Sequence, residues 1–199
     1  MMINPATLTG RTVSLVPLSI VHVPDLTAAG QNRAIWTYMR YGEVDTEERM
    51  LAFVRHLLEL QAARTDLPFA VLHLPSDSLA IGTTRYMNIE PANRSLEIGG
   101  TWYGVDFQRT AVNTEAKYLL LRHAFETLGC IRVQFKADLR NERSQRAIER
   151  IGAVREGVLR SHVILPDGYI RDSVIFSIIR SEWPRVKQRL MEKLGYTEI

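Results

Sequence analysis

The residues best suited to ligand chemistry lie at a short junction, residues 108–114, which reads QRTAVNT. The strand-like segment GGTWYGVDF precedes the junction. The helix-like segment TEAKYLLLRHAFE begins at Thr114, the last residue of the junction. A strand that leads into a helix brings free backbone N–H groups and the positive end of the helix dipole to one point. Because such a point attracts a diphosphate, the junction is a candidate phosphate site.

The same junction lacks the glycines that usually let a phosphate approach the backbone. Ala111 and Asn113 occupy the two small positions, so their side chains must be small or must turn away from the ligand. Taken alone, these residues favour a simpler interpretation, in which Asn113 or Thr114 only caps the helix.

A second group of polar residues lies in NERSQRAIERIG, residues 141–152. Asn141 is a favourable helix cap, and Gly152 stands where a left-handed residue ends a helix. The spacing of three residues puts Asn141 and Ser144 on one helix face, where both can contact the same ligand. Between residues 140 and 160, six arginines accompany only three glutamates, which provides charge for a small anion.

Composition bounds the possible classes of protein. With 199 residues and 46% hydrophobic content, residues 1–199 are expected to form a single domain around one sizeable core. The net charge is only +3 and acids are scattered among the bases, so no nucleic-acid partner is predicted. One cysteine, Cys130, and five histidines without metal-ligand spacing predict neither a disulfide nor a metal site. The absence of a leader or a long apolar run predicts a cytoplasmic protein without a membrane partner.

The elements that must position these residues follow from the hydrophobic periodicity. RTVSLVPL, PFAVLHL, LAIGTTRYMNI and SLEIGGTWY read as strands, the last three as a meander separated by turn formers. Helices are predicted after Thr46, from Thr114 to Gly129, after Asn141 and in the tail EWPRVKQRLMEKL. IRVQFKAD forms a strand between two helices, and PDG marks a late hairpin. The sequence predicts a mixed α/β domain, with a sheet that is partly antiparallel and partly joined by helical crossovers.

Together these stretches resemble the GNAT superfamily of acyl-CoA-dependent N-acyltransferases, in particular the branch of ribosomal-protein alanine N-acetyltransferases. The family's signature Asn-x-x-Ser-x-x-Ala-x-x-x-x-Gly is matched at Asn141, Ser144, Ala147 and Gly152. Further matches, in the family's order, are PFAV, IGTTRY, EIGGTWY, NTEAKYLLLRHAFE and RDSVIFSIIRSEWP, and they extend from about Leu8 to Leu190. The resemblance implies a mostly antiparallel sheet flanked by helices, with splayed strands at the acyl-CoA site.

The resemblance also implies roles for particular residues. The acyl-CoA turn would comprise Gln108, Arg109, Thr110, Ala111, Val112, Asn113 and Thr114. Of these, Gln108 matches the family pattern, whereas Ala111 and Asn113 depart from it. Asn141 would bind the pantetheine amide, and Ser144 would approach the CoA sulfur as the group that protonates the thiolate. Backbone N–H groups of residues 98–101 would hold the thioester carbonyl. Apart from the resemblance, Glu97 lies at the opening of that strand and is expected to accept a proton directly or through water, with His162 as the alternative base.

The sequence thus predicts an acetyl-CoA-dependent N-acetyltransferase that works by direct attack, without a covalent enzyme intermediate. The acceptor expected from the family branch is a protein or peptide N-terminal amine, and a small-molecule amine is the alternative. Acceptor specificity is assigned to a helix near residues 31–45 and to the hairpin at 161–170, where no motif is diagnostic. A non-catalytic CoA-binding module and a small nucleic-acid binder stay open as other classes, and a homodimer is possible.

Overall fold

The computed structural model describes residues 3–197. Within them, eight strands form one sheet in the order β1-β2-β3-β4-β5-β6-β8-β7. The strands are β1 Leu8–Thr9, β2 Val13–Pro17, β3 Leu67–His73, β4 Leu79–Glu90, β5 Ser95–Tyr103, β6 Arg132–Asp138, β7 Val154–Ile164 and β8 Ile170–Ile179. The α-helices are α1 Val23–Ala29, α2 Glu47–Ala62, α3 Ala111–Arg122, α4 Glu142–Arg150 and α5 Trp183–Leu194.

The sheet is mixed, as the sequence predicts. Strands β3, β4 and β5 form the expected antiparallel meander. Strand β6 pairs parallel to β5, because α3 carries the chain across the sheet between them. The hairpin β7–β8 then pairs antiparallel with β6 through β8.

The parallel pair β5–β6 is short and opens like a fork. The two strands pair only from Ser95 with Arg132 to Glu97 with Gln134, although β5 continues to Tyr103 and β6 to Asp138. The unpaired ends leave room, and backbone hydrogen-bonding groups, for a ligand between them. This divergence is the splay that the family resemblance implies.

A bulge distorts the opposite edge of β5 at the same level. Thr83 pairs with Trp102, but Arg85 pairs with Gly99, so β5 holds one extra residue there. Gly100 adopts a left-handed φ of +57°, and a Cβ at this position would lie 2.9 Å from Nε of Arg85. Glycine is therefore required at residue 100 for both conformation and space.

Helices cover both faces of the sheet. Phe69 and Ala70, neighbours on β3, point to opposite faces and join two separate buried clusters. The Phe69 cluster includes residues of α3 and α5, whereas the Ala70 cluster includes residues of α1 and α2. Among residues 3–197, no helix is both long and apolar enough to cross a membrane.

One predicted helix is wrong. Between residues 31 and 45 the chain forms only a short 3-10 turn, Arg33–Ile35, and irregular structure. Ile35 and Trp36 are buried in the α1–α2 cluster, and Trp36 Nε1 donates to the carbonyl of Gly30 at 2.8 Å. These tertiary contacts order the segment without a regular helix.

Candidate active site

A cavity of about 710 Å³ opens where β5 and β6 diverge. It is bounded by the β5 bulge, the turn before α3, the start of α4, the segment 34–41 and the β7–β8 hairpin. Most of the site residues predicted from the sequence line it, namely Glu97, Gln108, Arg109, Asn113, Asn141 and Ser144. Four others are not among its lining residues, namely Thr110, Ala111, Val112 and Thr114.

Helix α3 begins at Ala111, three residues before the predicted start, and Thr110 is its cap. The Thr110 hydroxyl accepts from the amide of Val112 at 3.3 Å, so the prediction that Asn113 or Thr114 caps the helix is wrong. The chain reverses at Arg109, whose φ of +62° is uncommon for a residue with a side chain. Among the residues described, no hydrogen bond engages the amides of Ala111 and Asn113, which are free to bind an anion.

A chain of hydrogen bonds orients the side chains of this turn. Tyr103 donates its hydroxyl to Oδ1 of Asn113 at 3.3 Å, which holds the Asn113 side chain against β5. Burial raises the pKa of Tyr103, so its hydroxyl keeps the proton that it donates. Gln108 donates to the carbonyl of Tyr103 at 2.9 Å and accepts from Nη1 of Arg143 at 3.0 Å. The turn before α3 is thereby fixed to both β5 and α4.

The start of α4 presents two polar groups to the cavity. Asn141 caps the helix as predicted, because its Oδ1 accepts from the amide of Ser144 at 3.0 Å. Within residues 3–197, neither Nδ2 of Asn141 nor the hydroxyl of Ser144 takes part in a hydrogen bond. Both groups line the cavity and are available to a ligand.

Glu97 is buried, with only 4% of its surface exposed, in contrast to the outward orientation usual for a strand glutamate. Its Oε2 lies 2.9 Å from Nζ of Lys136 and accepts from Asn88 at 2.8 Å and from Gln134 at 3.3 Å. Its Oε1 has no hydrogen-bond partner in the described part of the chain and lies toward the bulge, 3.4 Å from where a Cβ of Gly99 would stand. One carboxylate oxygen is therefore free at the edge of the cavity.

The structure adds a residue that the sequence reasoning missed, Lys117 on α3. Its ammonium is buried against the fork, where it donates to Thr101 at 2.6 Å and Thr84 at 3.2 Å. Burial lowers the pKa of Lys117 to about 7, and no carboxylate pairs with it among the described residues. The sequence feature that could have indicated this residue is a lysine that directly follows Ala116, a member of the apolar stripe of the helix.

His162, the alternative base, also lines the cavity. Its Nδ1 shares a hydrogen bond of 3.0 Å with the hydroxyl of Ser173. Burial, followed by the nearby charges of Lys136 and Arg171, lowers the pKa of His162, so the neutral form is favoured. Among the residues described, no cluster of three or more His, Cys, Asp or Glu side chains could hold a metal ion.

A mixed sheet that opens beside a crossover helix, with a helix start at the opening, has the architecture of the GNAT acetyltransferases. Residues 12–154 match the sequence profile of the acetyltransferase (GNAT) domain, and the chain belongs to this family. The family and the fold class predicted from the sequence are confirmed.

Individual relatives agree with this assignment. A protein of T. thermophilus, provisionally named an acetyltransferase, has 42% identity and a TM-score of 0.88, with 98% of this chain and 100% of that chain covered. A GCN5-related N-acetyltransferase from Brucella melitensis has 29% identity and a TM-score of 0.89, with coverage of 96% and 86%.

A curated relative is YdaF of Bacillus subtilis (strain 168), provisionally named a ribosomal N-acetyltransferase. It is 34% identical over 107 residues, which are 54% of this chain and 57% of YdaF. The match thus spans little more than half the length of that relative.

Proposed function

We propose that the protein transfers the acetyl group of acetyl-CoA to a primary amine by direct attack of that amine. The observation that carries the proposal is the convergence of a helix start, two free polar groups of α4 and a free carboxylate oxygen on one cavity in the fork of the sheet. When bound, acetyl-CoA supplies an acetyl group activated as a thioester.

The turn before α3 and the start of α4 fit the requirements of CoA. The free amides of Ala111 and Asn113, at the positive end of the helix, suit the diphosphate, with Arg109 and Arg143 at the cavity to balance its charge. Because Asn113 is held by Tyr103, its side chain need not block this approach. Asn141 Nδ2 remains free to bind an amide carbonyl of the pantetheine arm.

Acid–base chemistry falls to groups on opposite sides of the cavity. Glu97 Oε1 accepts the proton of the attacking amine, directly or through water, with His162 as the alternative. The Ser144 hydroxyl passes a proton to the leaving thiolate and takes one back from water, while the proton that Glu97 removed from the amine returns to water, so no charge remains on the serine. Cys130 is fully buried and burial raises the pKa of its thiol to about 11, which argues against a covalent enzyme intermediate.

The acceptor that we propose is the N-terminal amine of a protein or peptide, for which the provisional name of the YdaF relative gives support. A small-molecule amine is the alternative acceptor. A non-catalytic CoA-binding module is the alternative class, because Ala111 and Asn113 depart from the usual small residues of the turn.

Titration calorimetry with acetyl-CoA, combined with thiol release over a panel of peptides and small amines, tests the proposal. We expect binding together with thiol release that depends on the amine. Tight binding without release for any amine would indicate the binding module instead.

Variants of α4 test the assigned roles. Asn141→Ser keeps a capping oxygen but removes the amide donor, so we expect a raised KM for acetyl-CoA without loss of the helix cap. Ser144→Ala should lower kcat by about 10²-fold. Ser181→Ala, at an exposed position outside the cavity, is the matched control. Unchanged kinetics in both α4 variants would refute these roles.

A further inference from the structure

The cavity is also lined by basic side chains from elements other than the turn before α3. Arg40, Lys136, His162 and Arg171 all line it, on the segment 34–41, β6, β7 and β8. The charges of Lys136, Arg171 and Arg40 all act on His162 and lower its pKa, after burial itself. We call these four residues the basic wall.

Arg171 is the most deeply buried member of the basic wall. Its residue is only 9% exposed, and its Nε donates to the Ser173 hydroxyl at 2.9 Å. Within residues 3–197, no carboxylate lies within ion-pair distance of its guanidinium. Among the described residues, its Nη atoms have no hydrogen-bond partner. They are not fully buried, so they are open to the cavity. A buried guanidinium without an acid is costly unless a ligand supplies the acid.

The neighbouring carboxylates are committed to other cations. Asp138 accepts from Arg140 Nη2 at 2.9 Å, from its Nε at 3.1 Å and from its amide at 2.8 Å. Burial opposes ionisation of Asp138, yet the bonds from Arg140 lower its pKa overall, so the carboxylate is charged and occupied. Glu97 Oε2 is held by Lys136. The basic wall is left with Arg171 and Arg40 in excess.

The Ser173 hydroxyl holds Arg171 in place. It accepts from Nε of Arg171 at 2.9 Å and shares a hydrogen bond of 3.0 Å with Nδ1 of His162. In the part of the chain that the structure describes, only Nε of the guanidinium takes part in these bonds. The two Nη groups stay together as a fork, the geometry that binds a carboxylate through two parallel hydrogen bonds.

We propose that the acceptor is an acidic primary amine, whose carboxylate binds Arg171 in the basic wall while its amine faces the acetyl group. The proposal rests on the acetyl transfer proposed above and names the acceptor class. The same positive charges disfavour an ammonium group, so they also lower the pKa of the bound amine and favour the neutral form that attacks. The same positive charges then bind the carboxylate of the acceptor and favour the neutral form of its amine.

Matched peptides test the acceptor class with the wild-type enzyme. Peptides with an amidated C-terminus would differ only by Asp or Asn at position 1, 2 or 3, and free aspartate would represent a small acidic amine. We expect kcat/KM for thiol release to be at least about tenfold higher for one Asp peptide than for its Asn partner, or for free aspartate over asparaginamide, which has no carboxylate. The preference should weaken as salt is raised.

Variants then locate the preference. Arg171→Gln should reduce the ratio of kcat/KM between the acidic and neutral acceptors to about one, and Arg171→Lys should leave an intermediate ratio. Arg155→Gln removes one exposed charge of β7 outside the cavity and should keep the wild-type ratio. A loss of activity that is equal for both acceptors would make Arg171 a structural residue and overturn the proposal.

The wild-type measurement is decisive even if Arg171→Gln fails to fold. Thiol release without any preference for the acidic acceptor overturns the acidic-amine proposal but leaves acetyl transfer intact. Absence of release with every amine overturns both. The two proposals therefore fail in distinguishable ways.

Discussion

Two buried charges lie two residues apart on α3, and their surroundings differ completely. Glu115, 1% exposed, accepts from the amides of Arg11 at 2.9 Å, Thr12 at 2.8 Å and Val13 at 2.6 Å. The hydroxyl of Tyr196 donates to the same carboxylate. Lys117, on the side of the fork, has two threonine hydroxyls as its hydrogen-bond partners.

The difference separates a structural site from a functional one. At Glu115 four donors replace water, so the charge fastens the start of β2 and Tyr196 to α3. At Lys117 the charge is uncompensated, and the ammonium borders the cavity. Uncompensated buried groups are typical of places where function, rather than stability, determines the residue.

The largest effect is expected from Glu115→Ala. Loss of the carboxylate leaves three backbone amides without an acceptor, so the free energy of unfolding should fall by about 3–5 kcal/mol in urea denaturation. Glu115→Gln keeps one acceptor oxygen and should show a smaller loss. A loss below about 1 kcal/mol in the Ala variant would contradict the structural role.

Lys117→Met should have the opposite sign. At pH 7 the wild-type protein bears the cost of burying an ammonium, and the apolar side chain should raise the free energy of unfolding by about 2 kcal/mol. From about pH 7 to the usual lysine pKa of 10.5, the unfolded chain holds a proton that the folded protein has released, so wild-type stability should rise with pH.

Urea denaturation of both proteins at about pH 7 and pH 9 checks this sign. The rise with pH should be reduced in Lys117→Met, because the titrating group is gone. If the free energy of unfolding rises equally with pH in the two proteins, Lys117 is not the group that titrates.

Gly10→Ala disturbs the Glu115 site without replacing either of the two charged residues. A Cβ at residue 10 would stand 2.5 Å from Cδ of Glu115, so the carboxylate must move from its donors. We expect a loss of about 1–2 kcal/mol in the free energy of unfolding. At Gly157 a Cβ would meet nothing within 4 Å, so Gly157→Ala serves as the control and should change stability little.

The smallest effect belongs to Tyr196→Phe, which removes the fourth donor of Glu115. A loss of about 0.5–1.5 kcal/mol is expected, since the three amides remain. Burial and the bond to Glu115 raise the pKa of Tyr196 to about 12, so spectroscopic titrations of the wild-type protein and Tyr196→Phe should differ by one tyrosine that ionises late. If the variant instead loses a tyrosine that ionises near the usual pKa, the contact with Glu115 is not formed.

Much of this fold is readable from local patterns. The Asn141 cap, the left-handed Gly152 and the meander of β3, β4 and β5 all follow from turn chemistry and from periodicity. The sequence predicts the start of α3 three residues too late. The chain reverses at Arg109 before the helix, and an arginine gives no sign of a left-handed backbone.

The sequence by itself determined the order of most helices and strands, the family, and, of the ten predicted site residues, the six that line the cavity, because these depend on spacing along the chain. The tertiary structure alone decided the state of each charge. Glu97, Glu115 and Lys117 are all buried, yet their partners come from residues distant in sequence, such as Lys136, Val13 and Thr84. Burial and partner geometry set whether a charge stabilises the fold or serves a ligand, and neither is encoded in local sequence.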